Sequence, residues 1–153
     1  QAIARLNQAG LPVVVVTNQP GLARGYFSPA DLTAVHLELD RMLEAHGARV
    51  DAYYHCPHHP DGVVEHLAME CDCRKPGPGM LLRAAGDLGL CLEGSFMVGD
   101  RPGDVECALA AGLYALRVLS GPDQDNDKQK PHCIAGDLAQ AVDWIMSRLE
   151  GGR

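Results

Sequence analysis

Three cysteines and the adjacent pair His58-His59 fall within CPHHPDGVVEHLAMECDCRKPGPGM, the stretch from Cys56 to Met80. Cys56-Pro57-His58, and then Cys71-Asp72-Cys73, make two close pairs of metal-binding side chains, three thiolates and an imidazole. Zinc takes such ligands tetrahedrally, and four of them leave no open position, which marks a structural site and not a catalytic one. The polar loop between the pairs has little core of its own, so the ion would supply its folding energy. His58 completes the Cys-x-His pairing and is the expected ligand, with His59 as the alternative. Immediately behind lie Arg74 and Lys75. A guanidinium can fork two oxygens, and an ammonium acts as a movable point charge. A clip set directly against two cations reads as a device for presenting them to an anion.

Two further stretches could share that anion. Thr17-Asn18 offers a hydroxyl and an amide at the end of the run PVVVVT, beside free backbone N–H groups. Turn chemistry alone would also place Asn, Pro and Gly there. Gly99-Asp100-Arg101-Pro102-Gly103-Asp104 sets two carboxylates four apart. Magnesium wants oxygen ligands and keeps several waters, so one or two carboxylates suffice to hold it. Asp104 could equally favour a helix start through the helix dipole, an explanation that does not serve Asp100.

The elements that must position these residues are legible as a strand–helix alternation. QAIARLNQAG reads as a helix closed by Gly10. Pro12 opens a β-branched strand of the type buried on both faces of a parallel sheet, followed by a polar loop, TNQPGLARGYF. Ser28-Pro29-Ala30-Asp31 is a capped helix start, with Leu32, Val35, Leu39, Met42 and Leu43 as its apolar stripe and Gly47 as its end. Val50–Tyr54 reads as a strand, and His55–Gly79, with its prolines, as an irregular excursion. Met80–Leu88 reads as a helix, Ser95–Val98 as a strand, Asp104–Ala111 as a helix and Tyr114–Leu119 as a strand. GPDQDNDKQKPH reads as a solvated loop. Asp137 caps a last helix whose stripe is Leu138, Val142, Ile145 and Leu149. Such alternation implies an α/β fold with a parallel sheet covered on both faces, where ligands bind at the carboxyl ends of the strands. Thr17 and Asp100 both fall there.

Composition narrows the classes. The 153 residues suit one domain over 1–153, and 46% hydrophobic with 22% charged residues is ordinary for a globular chain. A net charge of -7 argues against nucleic acid as partner, because such proteins need a basic stripe. No apolar run reaches the roughly 18 residues needed to cross a bilayer, so no membrane partner and a cytoplasmic location are expected. Cys91, Cys107 and Cys133 are expected to behave as small buried hydrophobes.

Taken in order, strand-Thr-Asn, Arg-Lys-Pro and strand-Gly-Asp-x-x-x-Asp resemble the haloacid dehalogenase (HAD) superfamily of phosphohydrolases. TNQPGLARGYF, YYHCPHHPDG, CDCRKPGPGMLL and MVGDRPGDVECALAAG narrow the likeness to the D-glycero-D-manno-heptose-1,7-bisphosphate 7-phosphatases. The likeness runs from about Ala2 to Gly112. It implies a Rossmann-like parallel sheet with an irregular zinc-binding loop at 55–79. It also implies hydrolysis of a small phosphorylated sugar through an aspartyl-phosphate by a monomer. Thr17 would hold the transferring phosphoryl group, and Asn18 and Gln19 would line the substrate site. Cys56, His58, Cys71 and Cys73 would bind Zn2+. Arg74 would recognise substrate and Lys75 would neutralise charge. Asp100 would hold Mg2+, with Arg101 near substrate and Asp104 behind Asp100. Pro20 and Arg101 stand where serine and lysine are familiar in the family.

The family pattern also begins with a strand ending in Asp-x-Asp, whose first carboxylate attacks phosphorus and whose second is the general acid and base. The sixteen residues before Thr17 contain no aspartate. We therefore expect a chain that lacks an N-terminal segment, is inactive as it stands, and has no central strand between the Val13 and Phe96 strands. The DQDND run near position 125 follows no apolar strand and is not expected to substitute. Histidinol-phosphate phosphatase and a non-catalytic zinc-stabilised phosphate-binding module are the alternatives.

Overall fold

The computed structural model describes residues 1–121 and 128–151. Helix α1 (Ala2–Gln8) leads into strand β1 (Val14–Asn18), the one-turn helix α2 (Pro20–Ala23) and the long helix α3 (Pro29–Glu44). Strand β2 (Ala52–Cys56) follows, then a mostly irregular stretch containing a single 3-10 turn, Glu65–Leu67. Helix α4 (Gly79–Leu88), β3 (Phe96–Gly99), α5 (Pro102–Ala110), β4 (Tyr114–Val118), β5 (Cys133–Ala135) and α6 (Leu138–Gly151) complete the order. The centre of the GPDQDNDKQKPH loop and the whole of DQDND lie outside the described residues.

Every strand pairing is parallel, as the alternation implies. The strands form two sheets, β1-β2 and β3-β4-β5, and among the described residues no strand joins β1 to β3. The expected gap in the middle of the sheet is therefore present. β4, flanked on both sides, is the deepest strand. Its Leu116 and Val118 pack with Ala141 and Ile145 of α6, and its Ala115 packs with Met97, Val105 and Ala108. β1 is half-buried along its whole length and not buried, because its only strand neighbour among the described residues is β2.

Other expectations need correction. The polar loop after β1 contains α2, where Pro20 takes the first helical position and suits it. β5 was not expected. It is only three residues long, with too little pattern to separate it from loop. Helix α5 begins at Pro102, two residues before the expected Asp104. Helix α3 has the expected capping box, with Ser28 and Asp31 reciprocally hydrogen bonded. Its packed face is rotated, however. Leu32 is buried while Val35 and Met42 are 62% and 55% exposed. The face turned to β2 is set by His36, stacked on Tyr53 at 4.2 Å, and by Asp40, which accepts the Tyr53 hydroxyl at 2.6 Å. One ring contact and one half-buried hydrogen bond share that face with Leu32, Leu39 and Leu43 and leave Val35 and Met42 outside it. Cys107 is buried as expected, Cys133 is half-buried, and Cys91 is exposed.

Candidate phosphate site and zinc clip

The clip assembles. Cys56, His58, Cys71 and Cys73 place their ligand atoms within 4.8 Å of one another. The Cys71 sulfur is 3.5 Å from Cys56 and 3.3 Å from Cys73, and His58 Nδ1 is 3.4 Å from Cys73 and 3.8 Å from Cys56. Zinc bonds of about 2.0–2.3 Å require tetrahedron edges of roughly 3.4–3.8 Å, so the donor set fits the ion. Burial pushes the Cys56 thiol up, and burial with crowding by Cys56 and Cys71 pushes Cys73 up further. Burial acts on Cys71 in the same sense, but its hydrogen bonds with Cys73 and Cys56 pull that thiol down, so in the bare clip Cys56 and Cys73 are the thiols whose protons a cation must displace. His59 is turned elsewhere. Its Nδ1 accepts from the Asp61 N–H at 3.1 Å, and its Nε2 lies 3.1 Å from Arg24 Nη2. That geometry selects His58 from the adjacent pair.

Lys75 connects the two sheets at the carboxyl ends of their strands. Asn18, the last residue of β1, grips the Lys75 backbone with both ends of its amide. Oδ1 accepts the Lys75 N–H at 3.0 Å and Nδ2 donates to the Lys75 carbonyl at 3.1 Å. The ammonium then donates to the Val16 carbonyl at 2.9 Å and pairs with Asp104 at 2.7 Å. Val13 O and Gln19 N–H face β2. The alternation of a parallel ladder therefore aims Val16 O at the opposite edge of β1, which carries no strand among the described residues. Lys75 sits on that edge. The Lys75–Pro76 peptide bond is cis. Cys107 of α5 donates to Gly77 O at 3.3 Å, which seats the same loop on the second sheet.

Asp104 is 6% exposed and doubly engaged, by Lys75 and by the Arg101 N–H at 3.1 Å. It closes the first turn of α5 and holds the cation. A side chain at Gly99 would collide with the Asp104 carboxylate, so the strand can approach the helix this closely only as glycine. Asp100 is left at the tip of β3, half-buried, its carboxylate lying against Gly121. Magnesium bound by one carboxylate, with waters and a phosphate oxygen completing its shell, fits such a position. Thr17 Oγ1 accepts from Gln19 Nε2 at 3.0 Å. Arg74 is half-buried and donates to His58 O at 3.4 Å, while Arg101 is exposed.

The structure thus draws Asn18, Lys75 and Asp104 into one cluster, with Thr17 and Asp100 at its two strand ends and Arg74 tied to the clip. Asn18 acts on the Lys75 loop, a role its sequence position does not disclose. Arg24 touches the clip loop through His59. A lone arginine after a turn carries no pattern from which its contact could be read.

Comparison with known proteins agrees with this geometry. The HAD-hydrolase-like family model matches residues 72–141. The D-glycero-beta-D-manno-heptose-1,7-bisphosphate 7-phosphatase of Yersinia pestis is 38% identical over 149 residues, 97% of this chain and 74% of the relative. That of Rhodopseudomonas palustris is 44% identical over 124 residues, 81% and 68% of the two chains. The crystal structure of D,D-heptose 1,7-bisphosphate phosphatase from B. bronchiseptica, complexed with magnesium and phosphate, superposes with a TM-score of 0.85. It is 38% identical, over 97% of this chain and 81% of that one. With the clip, the Lys75 bridge and the parallel strands all in place, this chain belongs to the HAD-type heptose-1,7-bisphosphate 7-phosphatase family.

Proposed function

We propose that the chain carries the phosphate- and metal-binding part of a phosphatase that removes the 7-phosphate from D-glycero-D-manno-heptose 1,7-bisphosphate. The observation that carries this reading is the Lys75 ammonium, pinned between Val16 of β1 and Asp104 of α5 where the strand tips converge. Phosphoryl transfer asks a protein mainly for positioning and for charge placed where the equatorial oxygens develop it. Lys75 supplies that charge and Asn18 fixes its height. The Thr17 hydroxyl accepts from Gln19 Nε2 and keeps its own O–H to donate to a phosphate oxygen. Arg74 stands next in the chain to fork the ester. Asp100 would hold magnesium, which when bound adds positive charge against the same oxygens. Zinc on Cys56, His58, Cys71 and Cys73 does no chemistry. It holds the peptide from which Arg74 and Lys75 emerge.

The attacking carboxylate is a separate matter. Residues 1–16 contain no aspartate, and Asp104 is committed to Lys75. A polypeptide of these 153 residues alone binds the ester and does not turn it over. A reduced cytoplasmic setting suits a thiolate clip, and a monomer suffices for the site. Among the described residues no helix is long and apolar enough to cross a membrane.

Phosphate release decides between the readings. The 153 residues alone should release none from heptose 1,7-bisphosphate. The same residues extended by a strand ending in Asp-x-Asp should release it with magnesium, and faster than from histidinol phosphate. Turnover by the unextended chain would overturn the missing-nucleophile reading. Preference for histidinol phosphate would overturn the substrate.

A further inference from the structure

An open cleft of about 570 Å³ lies at the amino ends of β3 and β4, the opposite end of these strands from Asp100. Phe96 and Tyr114 open their strands and are partners in the parallel register, so both rings stand on the α6 face of the sheet. Phe96 stacks on Tyr114 with centroids 5.4 Å apart and planes inclined by 22°. Trp144 of α6 meets both rings edge-on, at 6.2 and 6.0 Å. One turn further along the helix, and so on the same face, Arg148 lays its guanidinium over Tyr114 at 4.2 Å and 5.5 Å from Trp144. Its Nη2 also donates to the Tyr114 hydroxyl at 2.6 Å. Ser147 and Gly151 border the same space.

The charge around this cleft runs against that of the whole chain. The sequence holds 20 acidic residues and a net charge of -7, yet no residue lining the cleft is acidic. Arg5, Arg41, Arg49 and Arg83 each pair with a carboxylate, whereas Arg148 has none among the described residues. One hydrogen bond to a neutral phenol leaves most of its N–H donors open to a ligand. The three rings are half-buried and border the open space. Sites for small organic molecules have this form, a concavity of roughly 300–1,000 Å³ that is mostly apolar, with a few polar groups to fix orientation.

We infer that this cleft is a second small-molecule site, which takes a planar aromatic carboxylate. The ring of the ligand packs among Phe96, Tyr114 and Trp144, where flat apolar faces and edges suit it. Its carboxylate is forked by Arg148, whose planar donors match two oxygens at once. The site stands apart from the phosphate site and does not rest on the substrate proposed above. Four residues of strand, at about 3.3 Å each, put roughly 13 Å between Phe96 and Asp100, too far for one such ligand to fill both.

The test follows the indole N–H resonance of Trp144, the only tryptophan in the chain, in a proton–nitrogen correlation spectrum. The probes are 2-naphthoate and its neutral counterpart, 2-naphthylmethanol. Naphthoate should move the resonance saturably and bind about tenfold more tightly than the alcohol, the worth of one charge-assisted contact. In Arg148→Gln that advantage should vanish while the alcohol binds as before. Arg148→Lys keeps the charge without the fork and should recover part of it. A β-carbon at Gly151 meets nothing within 4 Å, so Gly151→Leu can enter the cleft without a clash and should block both probes. Thermal melting checks that each variant folds. A resonance that stays still under naphthoate overturns the site. So does equal weakening of acid and alcohol in Arg148→Gln, or naphthoate binding that survives Gly151→Leu. Excess inorganic phosphate should leave naphthoate binding unaltered, and competition between them would place the probe at Lys75 and overturn the second site.

Discussion

The β3-β4-β5 sheet is held by packing, whereas the β1-β2 sheet and its clip are held by polar ties and, on the ligand geometry, by an ion. In the first, Leu116, Val142 and Ala115 are within 1% of full burial, and Phe96 stacks on Tyr114 while Trp144 meets both rings edge-on, with centroids 5.4–6.2 Å apart. In the second, β1 has no buried residue, and the loop after β2 buries little beyond Cys56. That loop is placed by Asn18, by the Ala23 carbonyl and by four ligand side chains. Packing energy is spread over many atoms and tolerates small errors. Coordination is concentrated in a few bonds and fixes position more sharply. Of the candidate site residues, Thr17, Asn18, Arg74 and Lys75 sit on the half that is pinned, and Asp100 and Asp104 on the half that is packed.

Stripping the ion is the harshest way to break that contrast. With Cys71→Ser, or with a strong chelator, amide hydrogens of residues 57–73 should exchange at nearly the unfolded rate while those of β4 stay protected. Metal analysis of the variant should show less than one zinc per chain. If β4 loses protection in step with the clip, the two halves are one cooperative unit and the contrast is wrong. Cavity creation probes the other half. Leu116→Ala should cost about 3 kcal/mol in denaturant unfolding, as buried leucines do, while zinc content stays at one. A smaller and more local effect sharpens the picture at α3, which leans on the clip-bearing sheet. Ser28→Ala should cost about 1 kcal/mol through the lost cap. The Ser28 backbone and hydroxyl hold the Asp31 carboxyl below its ordinary value of 3.8. That contribution is present above pH 3.8 and is lost as pH falls through the lower folded value, so the deficit of the variant should shrink in acid.

The legible parts of the molecule are those with a local cause. The capping box of Ser28 and Asp31, the parallel strands and the Cys-x-His with Cys-x-Cys spacing each follow from neighbours in sequence, and each is found. The gap between β1 and β3 could be anticipated because the family resemblance supplied a strand that residues 1–16 do not. Long-range contacts stayed hidden. The Asn18 clamp spans 57 residues, and the Arg24–His59 contact spans 35. Neither leaves a periodic trace. Leu32, Leu39 and Leu43 of the α3 stripe are at least half-buried, whereas Val35 and Met42 are exposed because the polar pair Tyr53 and Asp40 shares in deciding which face turns inward, and hydrophobicity counts carry no information on that. β5 was missed because it takes its place from β4, through Leu116↔Cys133 and Val118↔Ala135, more than from its own three residues.

The ammonium resting on Val16 has one more consequence. Among the described residues the outer rim of β1 carries no strand, and such a rim offers its carbonyls and amides to any passing chain, the edge along which sheets grow into fibres. Lys75 plants a charge on that rim, anchored by Asp104 behind it. A molecule arriving edge-on would have to strip the water from that charge and pull it from its counter-ion. On the described residues Lys75 therefore guards that edge against a second strand, and a neutral replacement should be recognisable first by poor solubility of these residues in concentrated solution.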